Sequence, residues 1–374
     1  MSTGSAKLNQ KFLFSLFATL IFFSSWASAQ TILEKKLDQL MKKQISAAGP
    51  GAAVFVMKGN EVLFKGAFGL ADIENQRKAS AKTNFRLASV SKIFTATAIL
   101  MLVEKGQLQL KTPLTEIFPN FPEYGKNIKV SHLLSHTSGI KEYFKLPGVL
   151  RESEGGRLND ANVLSLMMNQ AGPNFKPGSS FKYTNSGYAI LAEIVAKVSG
   201  KSYARFLHEN IFKPAGMQSS FAYERNLRSV PSQAFGYLSH AARFIKAENP
   251  TFSHVLGDGG IYSSLDDLIA WSKALNQNKL ISSQSLELAA APTKLSGGGS
   301  VNYGLGWRLG SYRGLRWIYH TGTSQGFRNI FVRIPSRGLT LGVLTNLRSR
   351  QPQDLAQKIF DIVHADLKFS GPMN

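Results

Sequence analysis

The chain has 374 residues, 43% of them hydrophobic, and a formal charge of +21 at neutral pH. It is long and apolar enough to bury a sizeable core, which excludes a disordered polymer. It contains no cysteine, so disulfides, a thiolate nucleophile, a thiolate metal site and a lipid-modified cysteine are all excluded.

Residues 1–29 combine two lysines (Lys7, Lys11), an apolar run from Phe12 to Phe23 and the triplet Ala27-Ser28-Ala29. That is the pattern of a secretory signal cleaved after Ala29, and the apolar run is short of the roughly 18–20 residues that span a bilayer. A periplasmic or secreted protein without a transmembrane segment is expected. Its charge would be 21 less the two lysines, or +19, a field suited to anionic envelope polymers, with nucleic acid not expected at that location. Scattered surface lysines kept for solubility account for the charge equally well. Lys35, Lys36, Lys42 and Lys43 lie beside Leu33, Leu37, Leu40 and Met41 in a pattern that predicts an amphipathic helix.

Ala52 to Met57 and Glu61 to Phe68 read as two strands joined by a Lys58-Gly59-Asn60 turn. A mostly helical stretch follows, with helices predicted over 90–105, 159–170, 186–199, 202–212 and 264–276. The Gly-rich run Ser296 to Ser300 reads as a loop, since it lacks the Lys-Ser/Thr ending of a phosphate-binding loop. Strand patterns return over Gly304 to Leu309, Leu315 to Tyr319, Phe327 to Ile334 and Leu339 to Thr345, and a helix from about Gln353 to Leu367 closes the chain. The fold class is therefore α/β of the α+β type: an antiparallel sheet flanked by N- and C-terminal helices, with an inserted helical region. Residues 30–374 form one expected domain, its sheet part drawn from about 30–85 and 300–374 and its helical part from about 86–299. The active site is expected where the two parts meet.

Three short motifs carry chemistry. Ser89 precedes an apolar helix and Lys92 stands three residues on, on the same face. A serine hydroxyl needs a base, and a lysine amine can serve when burial and neighbouring cations keep it neutral part of the time. The helix N-terminus favours developing negative charge. By itself, serine followed by lysine in a first turn is commonplace. Tyr183 and Asn185 follow a Phe-Lys-Pro-Gly turn; a phenol can shuttle protons and an asparagine amide can bind a substrate amide. His320-Thr321-Gly322-Thr323 ends a predicted strand. There a cationic or hydroxyl side chain could grip a substrate carboxylate, glycine would let substrate approach the backbone, and the next N–H could complete an oxyanion hole with that of Ser89. His132 and His136 have the spacing of two metal ligands on a helix, but Leu133 stands where a metalloprotease needs glutamate. No metal or organic cofactor is expected.

In this order the motifs resemble those of the serine β-lactamase and penicillin-binding protein superfamily, and the tyrosine version is similar to its class C β-lactamase and D-alanyl-D-alanine carboxypeptidase branch. Supporting stretches include Leu133-Leu134-Ser135-His136-Thr137-Ser138-Gly139-Ile140, Gly259-Gly260-Ile261 and Tyr303-Gly304-Leu305-Gly306-Trp307. The resemblance implies Ser89 as acylated nucleophile, Lys92 as its base and Tyr183 as partner base and proton donor. It further implies Asn185 as ligand of the substrate amide, and the N–H groups of Ser89 and Thr323 as oxyanion hole. The sequence departs from class C enzymes at His320, where they typically carry lysine. A histidine is mostly neutral at pH 7 unless a partner raises its pKa, which would weaken the hold on a β-lactam carboxylate. The resemblance thus implies hydrolysis of D-amino-acid peptides of the peptidoglycan first, simple esters second and β-lactams third. A non-catalytic wall-binding member is the alternative of another class.

Overall fold

The computed structural model describes residues 31–367 apart from 148, 150–156, 224–229, 242 and 248–253. The expected signal segment, residues 1–29, lies outside the described residues. Helix α1 (31–44) buries Leu33, Leu37 and Met41 and exposes the four lysines between and beside them, as its periodicity requires.

The centre of the molecule is a six-stranded antiparallel sheet. Its strands are β1 (Ala52–Lys58), β2 (Glu61–Phe68), β3 (Arg308–Tyr312), β4 (Leu315–Ser324), β5 (Phe327–Ile334) and β6 (Leu339–Thr345), in the spatial order β3-β4-β5-β6-β1-β2. The N-terminal hairpin therefore docks on the last strand, with Ala53 opposite Leu344 and Phe55 opposite Gly342. Alternate residues face opposite ways. Val54, Val56, Val332 and Val343 pack under α1 and the C-terminal helix, whereas Ala53, Phe55, Met57 and Phe331 face the helical region. Because both faces are covered, β1 reads as an unbroken apolar run with no alternation to display.

Two strand expectations shift. Residues 304–307 form a turn, with Gly306 at φ +86° and Gly304 N–H bonded to the Trp307 carbonyl at 2.8 Å, so β3 begins only at Arg308. Strand β4 runs on to Ser324, which places His320 to Thr323 inside the sheet and beyond no strand end.

The inserted region is led by α2 (Ser91–Glu104), buried on every side from Ser91 to Leu102 and so without an amphipathic signature. Around it stand α3 (Asp160–Met168), α4 (Ser186–Ser199) and α5 (Leu265–Asn276); α6 (Pro352–Asp366) closes the opposite face of the sheet. The predicted helix over 202–212 is α-helical only over Tyr203–Leu207 and widens to a π turn over His208–Phe212. At the start of α5, Ser264 Oγ accepts the Asp267 N–H, but the Asp267 carboxylate turns away to Ser219 and Ser220, so only half of a capping box forms. No helix among the described residues is long and apolar enough to cross a membrane.

Candidate active site

Ser89 lies on a 3-10 turn, Ala88–Val90, that feeds α2. The turn is strained: Ala88 has φ +50°, a region that residues with a β-carbon rarely adopt. Three contacts hold it there. The Leu87 N–H bonds to the Ile261 carbonyl at 2.8 Å. Asn329, on β5, gives its amide to the carbonyls of Arg86 and Leu87 at 2.8 and 3.1 Å while accepting the Thr345 N–H. Gly322, on β4, packs so closely that a β-carbon there would stand 2.1 Å from the Leu87 oxygen. The sequence suggested that Gly322 leaves room for substrate; the structure fills that room with the turn that carries Ser89.

Lys92, fully buried, directs Nζ to Ser89 Oγ at 3.1 Å, to Asn185 Oδ1 at 2.7 Å and to the Asp258 carbonyl at 2.7 Å. An ammonium would donate to all three; a neutral amine donates to two and accepts the Ser89 proton. The two short contacts thus leave the lone pair to face Ser89 once a proton has gone.

Each of these two acceptors is itself fixed. Asn185 gives its backbone and side-chain N–H groups to Glu142 Oε2 at 2.8 and 3.2 Å. Burial, and to a lesser degree the nearby Asp258 carboxylate, push the Glu142 carboxyl up to about 7 against the Asn185 hydrogen bonds. Asp258 sits on the short turn Leu256–Gly259. The N–H groups of Leu256 and Gly257 bond to Asp160 at 2.8 and 3.1 Å, Thr95 Oγ1 donates to the Gly257 carbonyl at 2.7 Å, and Arg86 Nε donates to the Gly259 carbonyl at 3.2 Å.

Tyr183 presents its ring to Lys92 Nζ at 5.1 Å and to the Arg308 guanidinium at 5.0 Å from the ring centroid. Among the described residues its buried hydroxyl has no hydrogen-bond partner, and neither has the buried Arg308 Nε.

His320 is fully buried, and both of its ring nitrogens are taken. Nδ1 lies 2.7 Å from the Thr321 carbonyl and must donate to it, leaving Nε2 to accept the Tyr303 hydroxyl proton at 3.0 Å. The Tyr303 oxygen then accepts from His136 Nε2 at 3.1 Å, and His136 Nδ1 accepts the Thr184 N–H at 3.3 Å. With both rings neutral, His320 carries its proton on Nδ1 and His136 on Nε2, and every contact of this chain is satisfied. Burial, with the nearby cations Arg308 and Lys92, holds both well below the ordinary histidine range. With its ring nitrogens spent inside this chain, His320 offers no cation to a substrate carboxylate in this arrangement, and Arg308, beside Tyr183, carries positive charge at this end. His136, whose spacing from His132 is that of two metal ligands, spends its ring on the same chain.

A cleft of about 180 Å³ opens above these groups, lined by Ser89, Tyr143, Asn185, Asp258, Thr323 and Ser324 among others. Of the predicted site residues, Ser89, Asn185 and Thr323 line it, whereas Lys92, Tyr183, His320, Thr321 and Gly322 lie behind that lining. Sequence reasoning passed over Glu142, Asp258, Arg308 and Asn329, and named Tyr303 only within a supporting stretch. Glu142 stands two residues beyond the Ser138-Gly139-Ile140 stretch, and Asp258 immediately before Gly259-Gly260, so the signal ended just short of both.

A family model described as Beta-lactamase matches residues 33–365. A penicillin-binding protein of Bacillus subtilis (strain 168) is 33% identical over 306 residues, which cover 78% of this chain and 67% of that protein. A D-aminopeptidase of Brucella anthropi is 30% identical over 286 residues, covering 75% of this chain but 53% of that longer protein. Among solved structures, the octameric penicillin-binding protein homologue from Pyrococcus abyssi superposes with a TM-score of 0.75 at 25% identity, over 90% of this chain and 77% of that one. D-amino acid amidase from Ochrobactrum anthropi SV3, at 21% identity and a TM-score of 0.73 over 89% of this chain and 99% of that one, shares the fold. On the family match over residues 33–365 and the 33% identity to the Bacillus subtilis protein, the chain belongs to the β-lactamase family of serine hydrolases.

Proposed function

We propose that the protein is an exported acyl-serine hydrolase that cleaves amide bonds next to D-amino acids in peptidoglycan-derived peptides, releasing the C-terminal residue. The observation that carries this reading is Lys92 Nζ at 3.1 Å from Ser89 Oγ, its other contacts fixed by Asn185 and Asp258. Neutral Lys92 takes the hydroxyl proton as Ser89 Oγ bonds to the carbonyl carbon, and the N–H groups of Ser89 and Thr323 receive the oxyanion. The C–N bond breaks as the leaving nitrogen takes a proton through Tyr183, and water then releases the acyl group from Ser89. Arg308 beside Tyr183 supplies positive charge at the end where a terminal carboxylate would lie. The relatives named as penicillin-binding proteins and D-aminopeptidases support D-amino-acid amides as the substrate class. The signal pattern in residues 1–29 supports export.

Mass spectrometry after incubation with a fluorophosphonate and, separately, a penicillin tests the nucleophile. A mass increase on Ser89 that Ser89→Ala abolishes is expected; no adduct from either reagent would overturn the assignment. A lasting penicillin adduct fits the peptidase reading, rapid clearance a β-lactamase, and labelling by the phosphonate alone an esterase. The direction of cleavage is read with D-Ala-D-Ala peptides bearing a free or an amidated C-terminus. Arg308→Ala should raise KM about tenfold or more for the free acid only, as expected for loss of a charge-assisted hydrogen bond. Faster cleavage of the amidated peptide by the wild-type enzyme would favour an aminopeptidase or amidase instead.

A further inference from the structure

At the end of β4 remote from Thr323, a cavity of about 610 Å³ opens between the sheet, the end of α5 and the short helix Ser283–Ala289. It shares no lining residue with the catalytic cleft. Its size is that of pockets that hold small organic ligands, which combine apolar walls with a few convergent polar groups. The apolar wall is Trp307, Ile318, Leu275 and Leu286.

The polar group is unusual for its place. Arg333 belongs to a row of side chains on one face of the sheet, Leu309, Ile318, Arg333, Thr340 and Met57, where Leu309, Ile318 and Met57 are core residues. Its guanidinium donates to the Asn276 Oδ1 at 2.7 Å, and among the described residues it forms no ion pair. A guanidinium carries five N–H donors in a planar fork, and a half-buried one without a counter-ion is costly. Desolvation holds its pKa below the usual arginine value. Arg316, at the mouth of the cavity, gives one N–H to the Ala290 carbonyl and adds a second positive charge; the exposed Glu287 is the one carboxylate on the rim. The fork matches a carboxylate in two parallel hydrogen bonds.

We infer that this cavity is a second ligand site, taking a carboxylate with a short apolar chain whose head is held by Arg333 and whose chain lies along Trp307 and Ile318. The site is independent of the reaction assigned to Ser89, although Ile318 on its wall stands two residues from His320 on the same face of β4, about 7 Å along the strand.

Isothermal titration calorimetry of the full chain with octanoate, and in parallel with octan-1-ol, tests the inference. Octanoate should bind saturably at one site and at least tenfold more tightly than the alcohol. Arg333→Met should remove that difference while leaving octan-1-ol binding and fluorophosphonate labelling of Ser89 unchanged. Absence of saturable octanoate binding, equal affinity for the alcohol, or unaltered octanoate affinity in the variant would each overturn it. Should Arg333→Met fail to fold, the comparison of the two ligands on the wild-type protein decides.

Discussion

At Gly322 the place of a β-carbon is 2.1 Å from the Leu87 carbonyl oxygen, so β4 and the turn that carries Ser89 touch through a side chain's absence. Gly322→Ala must push them apart. Overpacking of this kind costs about 1–3 kcal/mol, and a shift of about 1 Å in a reacting group costs on the order of a hundredfold in rate. The acylation rate should therefore fall far more than the denaturation midpoint, which stopped-flow labelling and urea titration would separate. Glu142 gives a residue-scale prediction in pH. Its carboxyl is raised from 4.5 to about 7 in the folded protein, so folding takes up a proton between those values and its contribution to stability declines as pH rises through that window. Only the ionised form accepts both Asn185 N–H groups at full strength, so amide hydrolysis should rise across about pH 7 as stability falls. Glu142→Gln, which keeps an acceptor oxygen, should flatten both slopes relative to wild type; unchanged profiles would refute the assignment. Neither residue's role was legible in the sequence. A glycine beside a threonine declares backbone freedom without saying what comes close, and a lone glutamate in a loop carries no sign of burial.

The turn Leu256–Gly259 shows the same gap one scale up. Four residues long, it has no periodicity to read, yet side chains from four other places hold its backbone: Asp160, Thr95, Lys92 and Arg86. Asp160→Ala would release the N–H groups of Leu256 and Gly257 into a buried setting, at about 1–3 kcal/mol for each unsatisfied group. The turn should then loosen, moving the Asp258 carbonyl from Lys92. A drop in kcat of about tenfold or more with KM little changed is expected in steady-state kinetics, and a proportional change in both would argue against it. The helices α1, α5 and α6 were legible because each lies between a core and another environment and shows its period. Residues 304–307 were misread as strand because apolar side chains alternate there with glycines that turn the chain.

For the whole molecule, the sheet is the middle layer of three, and each outer layer covers apolar side chains that have no other cover. Helix α6 buries Leu355, Ile359, Phe360 and Val363 against Val332, Val343 and their neighbours. At about 1.5–3 kcal/mol per large side chain, these four account for roughly 6–12 kcal/mol, comparable with the 5–15 kcal/mol by which native domains are stable. A chain truncated before Pro352 should therefore be recovered as aggregate, and a soluble, cooperatively melting truncation would contradict this packing. The layer order was inferable from strand patterns at both ends with helices between; the pairing of β1 with β6 was not, since no local pattern names a strand's distant neighbour.

That pairing also sets the timing of folding. With β1 wedged between β2 and β6, the sheet cannot close until nearly all of the chain has been synthesised, and contacts between such distant segments form slowly. Until then Val54, Phe55 and Val56 lie on an open strand edge, exposed to wrong partners. A nascent chain that cannot lock its sheet early keeps that edge open for longer, so the register between the first strand and the last sets how long the chain stays open to mispairing.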